Sequence, residues 1–350
     1  MKLRGVVVVE DDLPTPLSRD RTRVPALEQV ANRPILDHVL DALHLAGIEE
    51  VLVTASASVA GEVPELLDPR DDFAIEYLEQ AAPLDLAGAF RLAAPVIKDA
   101  PCIVHRASGL LDEPLTRFVN QLSTAPDALV VVHQASSPDE HLNLGTQDML
   151  HLAEFTSDHA LGMAGVWLFG PGAMPIVGSS PWDALSDVDL TTLGARISAA
   201  GGALHAELAD TWRQYRGHPL ELLELNRIVL DRLESCPHRP FNNSNRIEGR
   251  VWIHESASVR ASVIVGPTVI GPGARITDSY IGPYTSIGER ARVEGAEVER
   301  SIISPGASVQ HVGGRLVASV VGRNARVFRD FSLPRALRLR VGDGTEVALC

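Results

Sequence analysis

Lysine is almost absent from this chain of 350 residues, in which only Lys2 and Lys98 occur. Arginine supplies the other 29 of the 31 basic residues. A coding bias toward arginine explains Lys→Arg exchanges, but it does not explain an uncharged residue where a fold needs a lysine. Sites that hold phosphate with an ammonium group are therefore scarce in this sequence.

Cysteine is also scarce, and Cys102, Cys236 and Cys350 show neither paired nor metal-like spacing. We therefore expect reduced thiols in a cytoplasmic protein. No apolar run approaches the roughly 18 residues of a membrane span, and the first residues lack a secretory signal pattern. The net charge of −14 argues against a general binder of nucleic acid or anionic membranes, because such a surface does not attract a polyanion.

The sequence does contain, from about Val251 onward, a repeat of aliphatic residues at steps of six, with occasional steps of five. Examples are Ile253 to Val259, Ile270 to Ile276, Ile281 to Ile287, Ile287 to Val293, Ile303 to Val309 and Val321 to Val327. A period of six matches neither strand alternation nor a helical stripe. It predicts a coil of short strands that turns one aliphatic residue per side into its core.

The first 240 residues alternate short β-branched runs with amphipathic helices. Predicted strands cover 5–9, 50–54, 74–78, 102–105, 129–132 and 164–169, and predicted helices cover 34–45, 84–96 and 220–233. This alternation predicts an α/β domain whose mostly parallel sheet is covered on both faces. We place this domain at 1–240, the coil at 241–333 and a C-terminal tail at 334–350.

Three segments resemble the sugar-1-phosphate nucleotidylyltransferase family, in its long glucose-1-phosphate thymidylyltransferase form. They are TRVPALEQVANRPIL at 22–36, YLEQAAPLDLAGA at 77–89 and LLELNR at 222–227. The resemblance runs in order along nearly the whole chain. It implies a Rossmann-like, mixed and mostly parallel sheet followed by a left-handed β-helix of hexapeptide repeats, and the handedness comes from the resemblance alone.

The resemblance also implies a glycine-rich loop after the first strand, whose N–H groups cradle a triphosphate. In this chain residues 9–15 contain no glycine, and Glu10, Asp11 and Asp12 place three carboxylates there. A carboxylate about 4 Å from a phosphate oxygen opposes it by roughly 4 kcal/mol, which corresponds to about a thousandfold loss of affinity. The trio is either a solvated turn or a metal site. In a metal site, a bound divalent ion would turn the repulsion between these carboxylates and a phosphate into attraction.

Other residues that the family uses for catalysis are replaced as well. By alignment, the phosphate-binding lysine falls at Pro25, the magnesium-binding aspartate at Ser108, a second acidic ligand near Gln214, the sugar-phosphate lysine at Phe155 and the base-loop glycine at Asp85. Nucleotidyl transfer depends on metal ions and cations that neutralise crowded negative charge. We therefore expect no useful pyrophosphorylase activity.

Some groups suited to ligand binding remain. The resemblance implies that Gln80 pairs with a base edge, that Glu154 binds a sugar hydroxyl and that Gly165 lets a hexose approach the sheet. Each has a structural alternative, respectively a loop cap, a solvated strand end and a tight packing contact. Arg23, the cation nearest the lost lysine, and Ser108 complete the candidate ligand-binding set.

His105 and Arg106 sit at the carboxyl end of a predicted strand, where open α/β sheets place ligands. With Asp11 and Asp12 they are the candidate catalytic groups of a repurposed enzyme. Its substrate would be a phosphorylated or nucleotide-linked small molecule. The alternative for His105 is a strand-end side chain exposed to water.

Three functions are consistent with these patterns, and the first is a degenerate nucleotidyltransferase, acting as a non-catalytic partner or as the repurposed enzyme. The second keeps sugar-nucleotide synthesis, with Mg²⁺ and compensation by Arg23, Arg106 and the acidic loop. The third is acyl transfer at the coil through His254 or His311. Only retained transfer requires a cofactor. A nucleotide, sugar nucleotide or phosphosugar is the expected ligand, and a homo-oligomer or an active paralogue is the expected assembly partner.

Overall fold

The computed structural model describes residues 3–9, 24–56, 60–61, 63, 74–80, 86–98, 100–122, 127–134, 150–151, 161–178, 196–234 and 244–331, except for the side chains of 80, 86–91, 150–151 and 177–178. These residues form two compact units. The first unit holds the described residues of 3–9, 24–27 and Ile35–Gln214, and the second holds those of Glu28–Pro34 and 215–331. The chain passes from the first unit to the second after Gln214, and the boundary at 240 that the linker composition indicates stays a prediction.

The first unit is built on a mixed sheet. Its strands are β1 (Arg4–Val8), β4 (Glu50–Ser56), β5 (Ala74–Gln80), β6 (Cys102–Arg106), β7 (Gly109–Leu111), β8 (Ala128–Gln134), β9 (Leu150–His151), β10 (Leu161–Phe169), β11 (Leu204–Leu208) and β12 (Trp212–Gln214), while β2 (Gln29–Val30) and β3 (Arg33–Pro34) belong to the second unit. The helices of the first unit are α1 (Ile35–Leu45), α2 (Leu86–Ile97), α3 (Thr116–Leu122) and α4 (Met174–Gly178), with a 3₁₀ turn at Pro25–Leu27.

Eight strands of the described chain form the main sheet, in the order β5-β4-β1-β6-β10-β8-β11-β9. All neighbours run parallel except β10, which is antiparallel to both β6 and β8. The run Val6, Val7 and Val8 is fully buried because helices pack on this sheet, as expected for a central parallel strand. The predicted mixed, mostly parallel α/β architecture is confirmed.

Helix α1 shows how the sequence pattern fixes this packing. Ile35, Leu36, Val39, Leu40 and Leu43 recur at helical spacing, and the structure buries all five completely. A helix with one such apolar stripe is held mainly by packing on the sheet rather than by intrinsic propensity.

The second unit is a β-helix of three parallel sheets preceded by helix α5 (Pro219–Asp231). Five described strands form each sheet. The first sheet contains β13 (Arg246–Glu248), β16 (Val263–Val265), β19 (Tyr280–Ile281), β22 (Glu297–Glu299) and β25 (Arg315–Val317). The second contains β14 (Val251–Ile253), β17 (Thr268–Ile270), β20 (Thr285–Ile287), β23 (Ile302–Ile303) and β26 (Val320–Val321), and the third contains β15 (Ser258–Arg260), β18 (Arg275–Thr277), β21 (Arg292–Glu294), β24 (Ser308–Gln310) and β27 (Arg326–Phe328).

The hexad pattern predicts the interior of this coil. Ile264, Ile281 and Val298 stand in register on successive coils of the first sheet and are fully buried. The aliphatic residue of these hexads is thus the inward residue of a strand of two or three residues, and the residues beside it face outward. The predicted coil of short strands is confirmed.

Asn226 of helix α5 ties three parts of the second unit together. Its side-chain oxygen accepts hydrogen bonds from the Ala31 N–H at 2.8 Å and the Ser286 hydroxyl at 2.6 Å. Its amide N–H donates to the Tyr284 carbonyl at 3.1 Å. Asn226 is 1% exposed, so these partners take the place of water. The β2–β3 hairpin and helix α5 are therefore fastened to strand β20 by one buried amide.

No helix among the described residues combines the length and the apolar character that a membrane crossing requires. Cys102 is buried beside Met174, with 3.7 Å between the two sulfur atoms, and burial raises the pKa of its thiol.

The first prediction concerns the Asn226 amide. Asn226→Ala leaves an N–H, a carbonyl and a hydroxyl buried without their partner, so we expect the free energy of unfolding to fall by about 2–4 kcal/mol. The measurement is urea unfolding followed by a probe in the second unit. The matched control on the same helix is Glu224→Ala, which removes only an exposed ion pair to Arg227 and should cost less than about 1 kcal/mol. Equal losses in the two variants would contradict the assignment.

Candidate functional site

The strand order reverses beside β1, which lies between β4 and β6. In open α/β sheets, ligands bind outside the carboxyl ends of the strands at such a reversal. Strands β1 and β6 pair in parallel with Val8 opposite Arg106, so the end of β6 lies at this edge. We call the region formed by His105, Arg106, Ser108 and Gln214 the sheet-edge site.

His105 is buried at this edge, with 2% of its surface exposed. Its Nδ1–H donates a hydrogen bond to the Arg106 carbonyl at 2.7 Å, and its ring lies 5.8 Å from the Trp212 ring between centroids. Burial lowers the pKa of His105 to about 4, and the carbonyl contact opposes this shift. The expected water-exposed strand end is therefore wrong, because Trp212 packs against the imidazole.

Arg106 occupies the space that Gly165 leaves open. A Cβ atom built on Gly165 would lie 2.5 Å from Cδ of Arg106 and 2.6 Å from its Cγ. The glycine therefore accommodates the aliphatic stem of the arginine on the neighbouring strand β10. This geometry favours the packing alternative for Gly165 over a role in admitting a hexose.

Ser108 and Gln214 meet at the same edge. The Gln214 side-chain N–H donates to the Ser108 hydroxyl at 3.1 Å, and Ser108 is 1% exposed. The pair is positioned by the ribbon of β7 and β12, in which Gln214 stands opposite Gly109. Trp212 covers that glycine so closely that a Cβ atom there would lie 2.4 Å from the indole ring. A hydroxyl and a carboxamide thus satisfy each other in a tightly packed corner.

These two residues do not fit a magnesium ion. Mg²⁺ is held in proteins chiefly by carboxylates together with phosphate oxygens and water. At the positions where the family resemblance implies carboxylates, this chain has two neutral groups that are hydrogen-bonded to each other. Within the described ranges, no group of three or more His, Cys, Asp or Glu side chains could hold a metal ion.

Several predicted residues fall elsewhere or outside the description. Glu10, Asp11, Asp12, Arg23 and Glu154 lie outside the described residues, as do Asp85 and Phe155. Gln80 ends strand β5 opposite Ser56, and its side chain is not described. Its role in ligand binding therefore stays a prediction.

Pro25, at the position of the family lysine, is buried in the 3₁₀ turn. In the β-helix, His254 contacts the Ser256 hydroxyl at 2.8 Å. His311 lies 4.0 Å from a carboxylate oxygen of Glu294, which is on the preceding coil.

Sequence reasoning missed Trp212 and Gly109, which shape the sheet-edge site. Both sit in three-residue strands, which are too short for a periodic signal. The glycine directly after Ser108 and the tryptophan two residues before Gln214 were the available hints.

Comparison with known proteins places these observations in a family. A family model described as nucleotidyl transferase matches residues 15–141. Glucose-1-phosphate thymidylyltransferase from Streptomyces griseus is 30% identical over 333 residues, covering 92% of each chain. The Streptomyces antibioticus protein of the same name is 28% identical over 341 residues, covering 94% of each chain. The chain belongs to the sugar-1-phosphate nucleotidyltransferase family.

More distant relatives agree with this assignment. The low-salt glycan biosynthesis nucleotidyltransferase Agl11 of Haloferax volcanii is 25% identical over 334 residues, covering 92% of this chain and 93% of its own. A Bacillus anthracis crystal structure, assigned as a glucose-1-phosphate thymidylyltransferase in complex with sucrose, superposes with a TM-score of 0.53. It is 14% identical and covers 65% of this chain and 94% of its own, so it supports the fold alone.

The second prediction follows from the buried imidazole. Folded His105 binds a proton only near pH 4 and below, whereas an unfolded imidazole binds one below about pH 6.5. Its contribution to stability is therefore complete above pH 6.5 and is lost as the pH falls toward 4, by about 1.4 kcal/mol per pH unit. The difference in urea unfolding free energy between pH 7 and pH 5 should shrink by about 2 kcal/mol in His105→Leu.

The control for this measurement is Val104→Ala, a buried change on the same strand β6 that removes no ionisable group. It should lower the unfolding free energy equally at pH 7 and pH 5, and so keep the pH dependence of the natural protein. The same pH dependence in His105→Leu as in the natural protein would refute the burial argument.

Proposed function

We propose that this chain is a family member that does not transfer nucleotides and that serves as a non-catalytic partner of other proteins. The observation that carries the proposal is the hydrogen bond between Ser108 and Gln214 at 3.1 Å. The family resemblance expects two carboxylates there to hold the metal, and neither of these neutral side chains supplies the charge.

Electrostatics supports the same conclusion. Nucleotidyl transfer brings a negatively charged sugar phosphate next to a negatively charged nucleoside triphosphate. Catalysis therefore depends on cations placed around the reacting phosphates. Loss of one such group commonly lowers a rate by about 10² to 10⁵. Here the expected lysine position is Pro25, and the expected metal ligands are Ser108 and Gln214. Such losses are not additive, but together they leave little basis for turnover.

The packing of the sheet-edge site disfavours a repurposed enzyme. A general base must reach its substrate, and His105 is enclosed by Trp212 with its Nδ1–H committed to a carbonyl. Arg106 lays its stem over Gly165 instead of leaving that space to a ligand. We therefore prefer the partner role to a new reaction at this edge.

The third prediction concerns activity. The purified protein with Mg²⁺, dTTP and glucose 1-phosphate should release pyrophosphate no faster than a reaction without protein. The Streptomyces griseus relative, assayed in parallel, is the positive control. Release above background that disappears in Arg23→Ala would contradict the proposal and support transfer by a non-standard site.

The fourth prediction tests the metal site directly. The pair Ser108→Asp/Gln214→Asp restores two carboxylates, which repel each other when no cation is present. We expect its melting temperature to fall without Mg²⁺ and to recover when Mg²⁺ is added, because a metal that binds the folded state stabilises it.

The isosteric pair Ser108→Asn/Gln214→Asn is the matched control and should not respond to Mg²⁺. The natural protein should not respond either. An equal Mg²⁺-dependent rise in the natural protein would show that its own residues bind the metal, and the proposal would fail.

A further inference from the structure

One corner of the β-helix departs from the repeat. Along residues 247–327 the inward aliphatic residues follow one another at steps of five or six, except for a step of seven from Val309 to Leu316. The additional residues lie in the segment 311–314, between β24 and β25. In repeat proteins an insertion of this kind forms a loop on one face, which is often the binding face.

The corresponding corner is tight on the preceding coils. There two residues join the third sheet to the first, and the leading residue of each corner, Ala261, Asp278 or Gly295, has a φ of 47°, 49° or 56°. The corner at 311–314 has four residues, and its last two are exposed glycines. Glycine has no side chain to block access, so the backbone of this loop can approach a ligand closely.

A groove of about 490 Å³ opens beside this long corner, and we call it the corner groove. Its lining belongs entirely to the β-helix and includes Asp278, Tyr280, Glu297, Val312, Gly314 and Arg315. Small-molecule sites have volumes of about 300–1,000 Å³, so the corner groove has room for a ligand of modest size.

Asp278 gives the corner groove a hydrogen-bond acceptor that the fold does not use. The residue is exposed, and its carboxylate makes no ion pair or hydrogen bond to any residue that the structure describes. Ala261 and Gly295 take the same position on the neighbouring coils, so the corner itself does not require a carboxylate. The Asp278 oxygens are therefore free to accept from a ligand.

Arg315 gives the corner groove its donors. Nε of Arg315 lies 3.0 Å from a Glu297 oxygen, and Nη1 lies 2.8 Å from a Glu299 oxygen. The guanidinium carbon lies 5.0 Å from the centroid of the Tyr280 ring, a contact that helps to hold the arginine in place. A guanidinium has five N–H donors, so donors remain after these two ion pairs.

The charges around the corner groove disfavour an ionic ligand. Glu297 and Glu299 already balance Arg315, and Asp278 adds a further negative charge, so a phosphate group would be repelled. A cation would meet the exposed arginines of the third sheet, such as Arg260, which directly precedes the first tight corner. A neutral ligand with hydroxyl groups avoids both penalties, because a hydroxyl donates to a carboxylate and accepts from a guanidinium.

We propose that the corner groove binds a neutral sugar. A hexose presents neighbouring hydroxyl groups to the Asp278 carboxylate and the Arg315 guanidinium, and its C–H groups pack against Val263 and Val312, which also line the groove. The groove is open and the contact is small, so the dissociation constant should be about 1 mM. Because the β-helix alone forms this groove, the inference does not depend on whether the sheet-edge site transfers nucleotides.

Saturation-transfer difference NMR on the full chain tests this inference, with glucose, galactose and mannose as probes. At least one of these hexoses should bind with a dissociation constant of about 1 mM. The 1-phosphate and the 2-amino derivative of that hexose, added at equal concentration, should not displace it, because each carries a charge that the groove disfavours. Failure of all three hexoses to bind would overturn the proposal, and so would displacement by either charged derivative.

Two variants locate the binding. Asp278→Ala copies Ala261, which has nearly the same φ on the preceding coil, and it should weaken binding by at least about tenfold, because a charged acceptor is lost. Deletion of residues 312–313 restores a two-residue corner and should abolish binding.

The matched control is Glu289→Ala, which removes an exposed carboxylate outside the corner groove and should bind the hexose as the natural protein does. Unchanged binding in Asp278→Ala would overturn the proposal, since the sugar would then lie elsewhere. An equal loss of binding in Glu289→Ala would overturn it as well, because net charge rather than the groove would then control the affinity.

Discussion

The proposed loss of nucleotidyl transfer depends on the hydrogen bond from Gln214 to Ser108 at the sheet edge of this protein. A buried polar group needs a partner, and these two side chains supply one to each other at 3.1 Å without any charge. Carboxylates in the same places would repel each other unless a cation lay between them. The neutral pair therefore stabilises the corner without the metal that nucleotidyl transfer requires, and the packing of Trp212 over Gly109 holds it closed.

Buried hydrogen bonds also join the β-helix to helix α5 and to the β2–β3 hairpin. Asn226 is buried and makes hydrogen bonds to the hairpin, to strand β20 and to the turn before it. The second unit thus includes helix α5 and the β2–β3 hairpin as well as the β-helix, although the hairpin is far from the other two along the sequence. These contacts hold the second unit together without involving the sheet-edge site, which is consistent with the proposed role in binding other proteins.

Much of the fold follows from sequence, because periodic burial leaves a periodic pattern. Helix α1, strand β1 and the hexads around Ile281 and Ile287 show this directly. The sheet-edge site was harder to predict, since it depends on long-range pairing of three-residue strands. The resemblance identified Ser108 and Gln214 as replaced positions, but only the fold places the two side chains in contact. Likewise, the burial of His105 depends on Trp212, a residue 107 positions away.

The most direct measurement of the central claim is a crystal structure of the protein with dTTP and Mn²⁺, using the anomalous signal of manganese to locate the ion. We predict no manganese at the sheet-edge site and an intact hydrogen bond between Ser108 and Gln214. Manganese within about 2.2 Å of either side chain, with the triphosphate coordinated to it, would contradict the claim that this site cannot support transfer.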